Sequence, residues 1–155
     1  MTVLDALKAD HDDVKSLLGK ILEADETKVR IRLFSEFKIK MTAHSHAEEK
    51  VLYRRMQRTE DGRPEALEGA VEHKVVDRLM SDLSRKRGKG SDAWTAGVKV
   101  LRKLVERHVE DEEGEFFAIA RKAFAEQTLD RMAEEFAREK KRRGVGPTAS
   151  PVAAD

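Results

Sequence analysis

Apolar residues recur along most of the chain at alternating spacings of three and four positions. This spacing is typical of helices that bury one stripe of side chains against their neighbours. It predicts four long helices, over about 3–23, 26–58, 64–87 and 92–124. It also predicts a shorter fifth helix over about 128–142. The apolar side of this fifth helix carries Leu129, Met132, Ala133 and Phe136.

Short polar segments separate these helices and supply candidate caps. Thr2 and Asp5 match a capping box ahead of the first helix. Asp25 is a candidate N-cap for the second helix, and Ser91 is a candidate for the fourth. Because short connections favour antiparallel neighbours, we expect an all-α fold: an up-down-up-down four-helix bundle with a short extra C-terminal helix.

The same pattern divides the chain into three parts. Residues 1–125 form the predicted bundle, and residues 126–143 form the C-terminal helix. Residues 144–155 contain two prolines, two glycines and few apolar side chains, so we expect a flexible tail there. A chain of 155 residues suits a single domain of this kind.

Composition excludes several classes of function. Lys and Arg number 31 against 30 Asp and Glu, so no global charge favours nucleic acid or membranes. The basic run at 140–143 has no interleaved aromatic residues, and we expect no nucleic-acid partner. The absence of cysteine excludes disulfides, thiolate metal sites and cysteine nucleophiles. With no apolar run of about 18 residues and no signal peptide, we expect a soluble, cytoplasmic protein with no membrane partner.

Six ionisable residues stand where the apolar stripes would pass. They are His11, His44, Glu48, His73, His108 and Glu112. If a stripe takes three of every seven positions, four histidines fall on it by chance in about 3% of cases. Each histidine alone is most simply a hydrogen-bonded core residue, and the glutamates could form interior salt bridges. Because an unpaired buried carboxylate costs several kcal/mol, the six together favour a metal site.

Depth along the bundle and an internal repeat support one shared site. At 1.5 Å per residue, His11 and His73 lie about 12–14 Å from the same end of the bundle, and the two His/Glu pairs about 18–21 Å. His11 and His73 are 62 positions apart, and His44 and His108 are 64 apart. Two helical hairpins therefore carry equivalent residues, which predicts a pseudo-two-fold pair of metals.

The spacing of the His/Glu pairs suits metal binding. Side chains four residues apart on a helix have Cβ atoms about 5–6 Å apart, so they can bind the same ion or adjacent ions. Four imidazoles and two bridging carboxylates give each metal two nitrogens and two oxygens, and leave positions for water or substrate. This ligand set suits iron, with manganese and zinc as alternatives.

These residues resemble a known family. His11, His44-x-x-x-Glu48, His73 and His108-x-x-x-Glu112, each on its own helix, are similar to the motifs of hemerythrin-like, HHE cation-binding domains, over about residues 1–125. The resemblance implies two non-haem iron ions with an oxo or hydroxo bridge inside a four-helix bundle. Members of the family bind dioxygen, sense oxygen or iron, or react with peroxide or nitric oxide. Ferritin-like di-iron proteins use Glu-x-x-His instead, a spacing that these pairs lack.

The chain departs from the oxygen-carrying hemerythrins at two places. Asp77 stands where their third helix has a second histidine, and Glu112 replaces a later acid, with Glu113 at the carriers' spacing. More carboxylate and less imidazole favours higher oxidation states. We therefore expect an oxidoreductase that reacts with a small oxidant, with catalase-like or peroxidase-like decomposition of hydrogen peroxide first and related O2 or NO chemistry next. The alternative is a protein that binds and senses O2, NO or iron without turnover.

Three further residues are candidates near the metals. Asp77 and Glu113 are candidate additional ligands or partners of a ligand N–H. Tyr53 is a candidate catalytic residue, as a hydrogen-bond donor or radical sink, although a packing role is simpler. His46 lies about 200° around the helix from His44, so we expect it on the surface.

Overall fold

Each predicted helix is present in the computed structural model, which describes residues 1–149. The helices form five rods, two of which contain a π-helical turn. The rods are α1 (Val3–Glu23); α2 (Thr27–Glu48), π1 (Glu49–Tyr53) and α3 (Arg54–Met56); α4 (Gly62–Arg85); α5 (Asp92–Asp111), π2 (Glu112–Phe116) and α6 (Phe117–Ala123); and α7 (Glu126–Arg142). No strand occurs within residues 1–149, and the all-α prediction is confirmed.

Two of the predicted caps form. Thr2 and Asp5 make the reciprocal hydrogen bonds of a capping box, and the Ser91 hydroxyl accepts a backbone hydrogen bond 3.1 Å long at the start of α5. The prediction for Asp25 is wrong. α2 begins one residue later than expected, after Glu26, whose side chain makes no capping hydrogen bond.

The rods form a closed ring of neighbours with one helix outside it. α1 packs on α2 and α5, and α4 packs on the same two helices. α7 lies on the flank of this bundle, against α1 and α2. The arrangement confirms the predicted bundle with an extra C-terminal helix. None of the helices in residues 1–149 combines the length and apolar character that crossing a membrane requires.

Two apolar clusters divide the interior at the level of the predicted site. One contains Leu7 and Phe116, and the other contains Val14 and Val109. His11 lies between the two clusters on α1, since Leu7 precedes it and Val14 follows it. The polar residues of all four bundle rods thus occupy one layer between two apolar layers.

The segment after α7 turns back towards the bundle. Gly144 adopts φ 77°, a conformation that glycine reaches without strain, and the N–H of Val145 donates to the carbonyl of Lys140. Val145 is 8% exposed, and the Thr148 hydroxyl donates to Asp10 Oδ1 over 2.6 Å. Residues 144–149 therefore differ from the flexible tail that we expected. The rest of that predicted tail, 150–155, lies outside the described residues.

Candidate metal centre

Both π-helical turns begin at a buried glutamate or directly after one: π1 follows Glu48, and π2 starts at Glu112. In a regular α-helix, a residue five positions later is rotated by about 140°. The extra residue of a π-helical turn removes about 100° of this rotation. Tyr53 and Phe117 therefore turn towards the same side as the glutamates, and both are buried. Two adjacent large apolar residues, such as Phe116 and Phe117, cannot both lie on one α-helical stripe. Such a pair is the sequence signal for a π-helical turn.

The six predicted ligands meet in the polar layer, and each is at most 3% exposed. We call them the candidate centre. Their nitrogen and oxygen atoms form two groups in which all members lie within 4.8 Å of one another. The groups are Glu48, His73, His108 and Glu112, and His11, His44 and Glu112. Glu112 belongs to both groups, as a residue that bridges two ions would.

The histidines form two pairs, and the glutamates connect the pairs. Ring centroids are 5.0 Å apart in the His11/His44 pair and 4.7 Å apart in the His73/His108 pair. Glu48 Oε2 lies 3.5 Å from the Nε2 of His44 and 3.3 Å from that of His73. Glu112 lies 3.4 Å from the Nε2 of His11 and 3.0 Å from that of His108. Each glutamate thus contacts one histidine of each pair.

Every imidazole of the candidate centre turns its outer nitrogen, Nδ1, to a second carboxylate. Three of these contacts are hydrogen bonds: Asp10 to His44 (3.0 Å), Glu72 to His108 (3.1 Å) and Glu113 to His11 (3.1 Å). Glu49 lies 3.4 Å from His73 Nδ1, which has no hydrogen-bond partner among the described residues. A carboxylate that accepts from Nδ1–H fixes the ring orientation and leaves the Nε2 lone pair for a metal. The two halves of the centre therefore repeat the same arrangement, as the internal repeat predicts.

Asp77 and Glu113 take different positions. Glu113 contacts the outer nitrogen of His11 and belongs to neither ligand group. Asp77 is half-buried and forms no hydrogen bond to a site histidine among the described residues. Burial raises the pKa of Asp77, against the opposing charge of His73. The carboxylate beside His73 is instead Glu49, which comes from another helix.

Tyr53 lies directly against the candidate centre. Its hydroxyl donates to Glu112 Oε2 over 2.7 Å, and its ring stacks on His73 with 5.2 Å between centroids. Burial and the charges of Glu48 and Glu112 raise the pKa of Tyr53 well above 10, so the hydroxyl stays protonated. Gly69 makes room for this ring, because a Cβ there would lie 2.8 Å from Tyr53 Cζ. Gly69 is not among the residues predicted from the sequence.

The second half of the centre has a phenylalanine where the first has a tyrosine. Phe117 stacks on His11, with ring centroids 6.3 Å apart. It follows Glu112 by five residues, as Tyr53 follows Glu48. The repeat therefore supplies a hydroxyl to one half only. His46 is exposed, as predicted, and contacts Arg143.

The donor atoms of the candidate centre fit a cation. His11 Nε2, His44 Nε2, both carboxylate oxygens of Glu48 and Glu112 Oε1 are buried and have no hydrogen-bond partner among the described residues. Buried polar atoms are almost always paired, and unpaired carboxylates are costly. Neither glutamate forms an ion pair with a lysine or arginine of residues 1–149. Metal ions would satisfy all of these atoms at once.

Protons occupy this site when metal does not. Burial alone would lower the pKa of His44 and of His73, but hydrogen bonds to carboxylates outweigh it and raise each pKa to about 9. Hydrogen bonds to Glu112 and Glu72 outweigh burial in the same way and raise the pKa of His108 to about 11. A metal that binds here must displace these protons, so its affinity depends on pH.

α7 covers the half of the centre that contains His11 and His44. Phe136 meets the His44 ring edge to face, with centroids 6.0 Å apart. Lys140 is 3% exposed, and its Nζ donates to Asp10 Oδ1 over 2.6 Å. Despite burial, hydrogen bonds from His44 and the charge of Lys140 lower the pKa of Asp10. Lys140 belongs to the basic run at 140–143, and its contact with Asp10 was not predicted from the sequence.

Comparisons with known proteins point to a cation-binding family. A family model described as Hemerythrin HHE cation binding domain matches residues 2–120. A DNA nickase of Nostoc sp. (strain PCC 7120) is 26% identical over 136 residues, which are 88% of this chain and 38% of that protein. An uncharacterized hemerythrin-like protein of Schizosaccharomyces pombe is 24% identical over 141 residues, 90% of this chain and 69% of the yeast protein. No solved structure gives a significant match.

Proposed function

The chain belongs to the hemerythrin HHE cation-binding family, and from this membership we propose that it is a non-haem di-iron protein that decomposes hydrogen peroxide. The observation that carries the proposal is the pair of two-histidine groups joined by buried glutamates. His11 and His44 would hold one ion, His73 and His108 the other, with the glutamates between them. Two bound irons supply redox and Lewis-acid chemistry towards a small oxidant. Manganese and zinc remain alternative metals.

The surrounding residues position ligands and hold protons. Carboxylates hydrogen-bonded to the outer nitrogens keep the imidazoles of His11, His44 and His108 aimed inward. The protonated hydroxyl of Tyr53 fixes Glu112 Oε2 and offers a proton beside the His73/His108 pair. Phe116 and Phe117 supply an apolar wall that limits access of water. A neutral molecule as small as peroxide suits this enclosed, acid-lined site better than an anion does.

Oxygen evolution from hydrogen peroxide tests the proposal. Protein of measured iron content should evolve oxygen faster than the same concentration of free iron, as followed with an oxygen electrode. His44→Ala should abolish this activity, because it removes one of the two histidines that would hold the first ion. His46→Ala is the matched control: it removes an exposed histidine two residues away and should leave activity unchanged. Fully loaded wild-type protein that evolves no oxygen above free iron would refute the proposal.

A sensing function is the second candidate. The observation that favours it is the direct contact of α7 with the partner of a site histidine, through Lys140 and Asp10. A change at His44 would reach α7 through this pair. A sensor of oxygen, nitric oxide or iron should show reversible spectral change without turnover. Its α7 should also differ in protease sensitivity between metal-free and loaded protein.

Nucleic acid is not among the partners that we propose, although the Nostoc relative is named a DNA nickase. The chain spans 38% of that protein, and the cavity beside the candidate centre is lined by carboxylates that repel phosphate. Basic residues from two segments do converge on a separate groove: Lys50, Arg54, Arg55, Arg58, Arg138 and Arg142. Supercoiled plasmid mixed with loaded protein should stay supercoiled. Nicked circles that appear with wild type and not with His44→Ala would overturn this prediction.

A further inference from the structure

A cavity of about 540 Å³ opens beside the His73/His108 half of the candidate centre, between α4 and the junction of α5 with π2. Six carboxylate side chains line its outer part. They are Glu65, Glu68, Glu72, Glu110, Asp111 and Glu115. The described residues that line it include no lysine or arginine. We call it the acidic cavity, and its lining is far more negative than a chain of net charge +1 would have on average.

The acidic cavity ends at the candidate centre itself. His108, Glu112 and Tyr53 form part of its lining. Glu112 is 3% exposed, and its Oε1 has no hydrogen-bond partner among the described residues. Glu112 Oε2 lies 3.0 Å from His108 Nε2 and Oε1 lies 3.4 Å from His11 Nε2, so the carboxylate at the inner end of the cavity reaches both halves of the centre. Carboxylate oxygens are ligands for a divalent cation.

The carboxylates of the acidic cavity lie close enough to repel one another. Burial raises the pKa of Glu65, and repulsion from Glu115, Glu68 and Asp111 raises it further. Fields focused in a cleft with one sign of charge raise the local concentration of oppositely charged ions and their binding rates by about 10- to 1,000-fold. Such an effect weakens with salt, because the Debye length is about 10 Å at 0.1 M ionic strength.

Among the described residues, α7 and the segment after it cover the His44 side of the other half of the centre. Phe136 packs against His44, and the positively charged Lys140 forms an ion pair with Asp10. Thr148 donates to the same carboxylate from the segment after α7. These contacts place a positive charge beside the His11/His44 half, whereas carboxylates line the acidic cavity beside the His73/His108 half.

We propose that the acidic cavity is the loading route by which divalent metal ions reach the candidate centre. An ion enters past Glu65, Glu68 and Glu115 and reaches Glu112, which belongs to both ligand groups. The His73/His108 group is met first, and Glu112 then connects it to the His11/His44 group. This inference rests on the proposed function, since it requires that the centre binds metal.

The rate of metal uptake tests the route. Metal-free protein is mixed with Co²⁺ at low ionic strength, and the visible absorption of the bound ion is followed by stopped flow. The test variant carries Glu65→Gln, Glu68→Gln and Glu115→Gln, none of which removes an observed ion pair. The matched control carries Glu23→Gln, Glu26→Gln and Glu134→Gln, three exposed glutamates outside the cavity. Both variants lose the same charge.

The test variant should bind Co²⁺ about tenfold more slowly than the control, with the same final stoichiometry and spectrum. The difference should shrink as salt is added, and Glu68→Lys should slow uptake further than Glu68→Gln. Equal rates in the test and control variants would overturn the loading route and leave the proposed function standing. Wild-type protein that takes up no stoichiometric Co²⁺ or iron would overturn both.

Discussion

Replacing Lys140 by methionine should destabilise the metal-free protein by about 3 kcal/mol. Removing one partner of a buried ion pair costs about 3–5 kcal/mol, because the other charge stays buried without compensation. Lys140 is 3% exposed, and its Nζ lies 2.6 Å from Asp10 Oδ1. Asp10 keeps two other donors, Thr148 and His44, and this places the loss near the lower limit. Methionine retains the length of the side chain, so little packing is lost.

Urea unfolding followed by circular dichroism measures this effect. With a slope of about 2 kcal/mol/M, a loss of 3 kcal/mol lowers the midpoint by about 1.5 M. Lys141→Met is the control, since Lys141 is exposed and its replacement should change stability by less than about 0.5 kcal/mol. Adding Asp10→Asn to Lys140→Met should recover part of the loss, because the unpaired charge is removed. A midpoint for Lys140→Met within 0.3 M of wild type (about 0.6 kcal/mol) would show that the pair is not buried as described.

Three further perturbations give separate tests. Tyr53→Phe should cost about 1–3 kcal/mol in urea unfolding, because Glu112 Oε2 loses its donor; an unchanged midpoint would contradict the hydrogen bond. Gly69→Ala should lower thermal stability by about 1–3 kcal/mol, since its methyl meets the Tyr53 ring, whereas Gly19→Ala meets nothing and should raise it slightly. The pKa of His44 is raised to about 9, so its contribution to stability is complete below about pH 6.5 and is lost as pH rises through 9. Urea midpoints of metal-free protein should therefore fall over this range, while those of loaded protein should not.

The residues of the candidate centre could be predicted from the sequence because they lie on helices. A helical period places His44 and Glu48 on one face whatever the rest of the fold does. The same period, with the internal repeat, brings the four rods to one level. Both features depend only on the spacing of residues within a helix, and this spacing can be read directly from the sequence.

The outer partners of the histidines depend on how rods lie beside one another. Asp77 follows His73 by one turn, but the carboxylate that reaches His73 comes from Glu49 on π1, in a neighbouring rod. Periodicity within one helix does not fix the register between two helices. Lys140 was missed for a similar reason. The turn at Gly144 folds the following segment onto α1, where Thr148 reaches Asp10. A run of four basic residues in the sequence does not indicate which of them will face α1.

The two halves of the candidate centre share a ligand pattern and differ around it, so two metal ions should bind with different affinities. One group offers four ligands, Glu48, His73, His108 and Glu112, whereas the other offers His11, His44 and Glu112.

In the second group, Lys140 also neutralises Asp10, and this weakens the carboxylate that supports His44. Titration of metal-free protein with Co²⁺ should therefore show a tight step followed by a weaker one. Lys140→Met should tighten the weaker step by about tenfold and leave the first unchanged, as changes beside a ligand alter metal affinity by about 10- to 100-fold. Two equal steps in wild-type protein, or a second step that does not respond to Lys140→Met, would mean that α7 does not lower the metal affinity of the His11/His44 group.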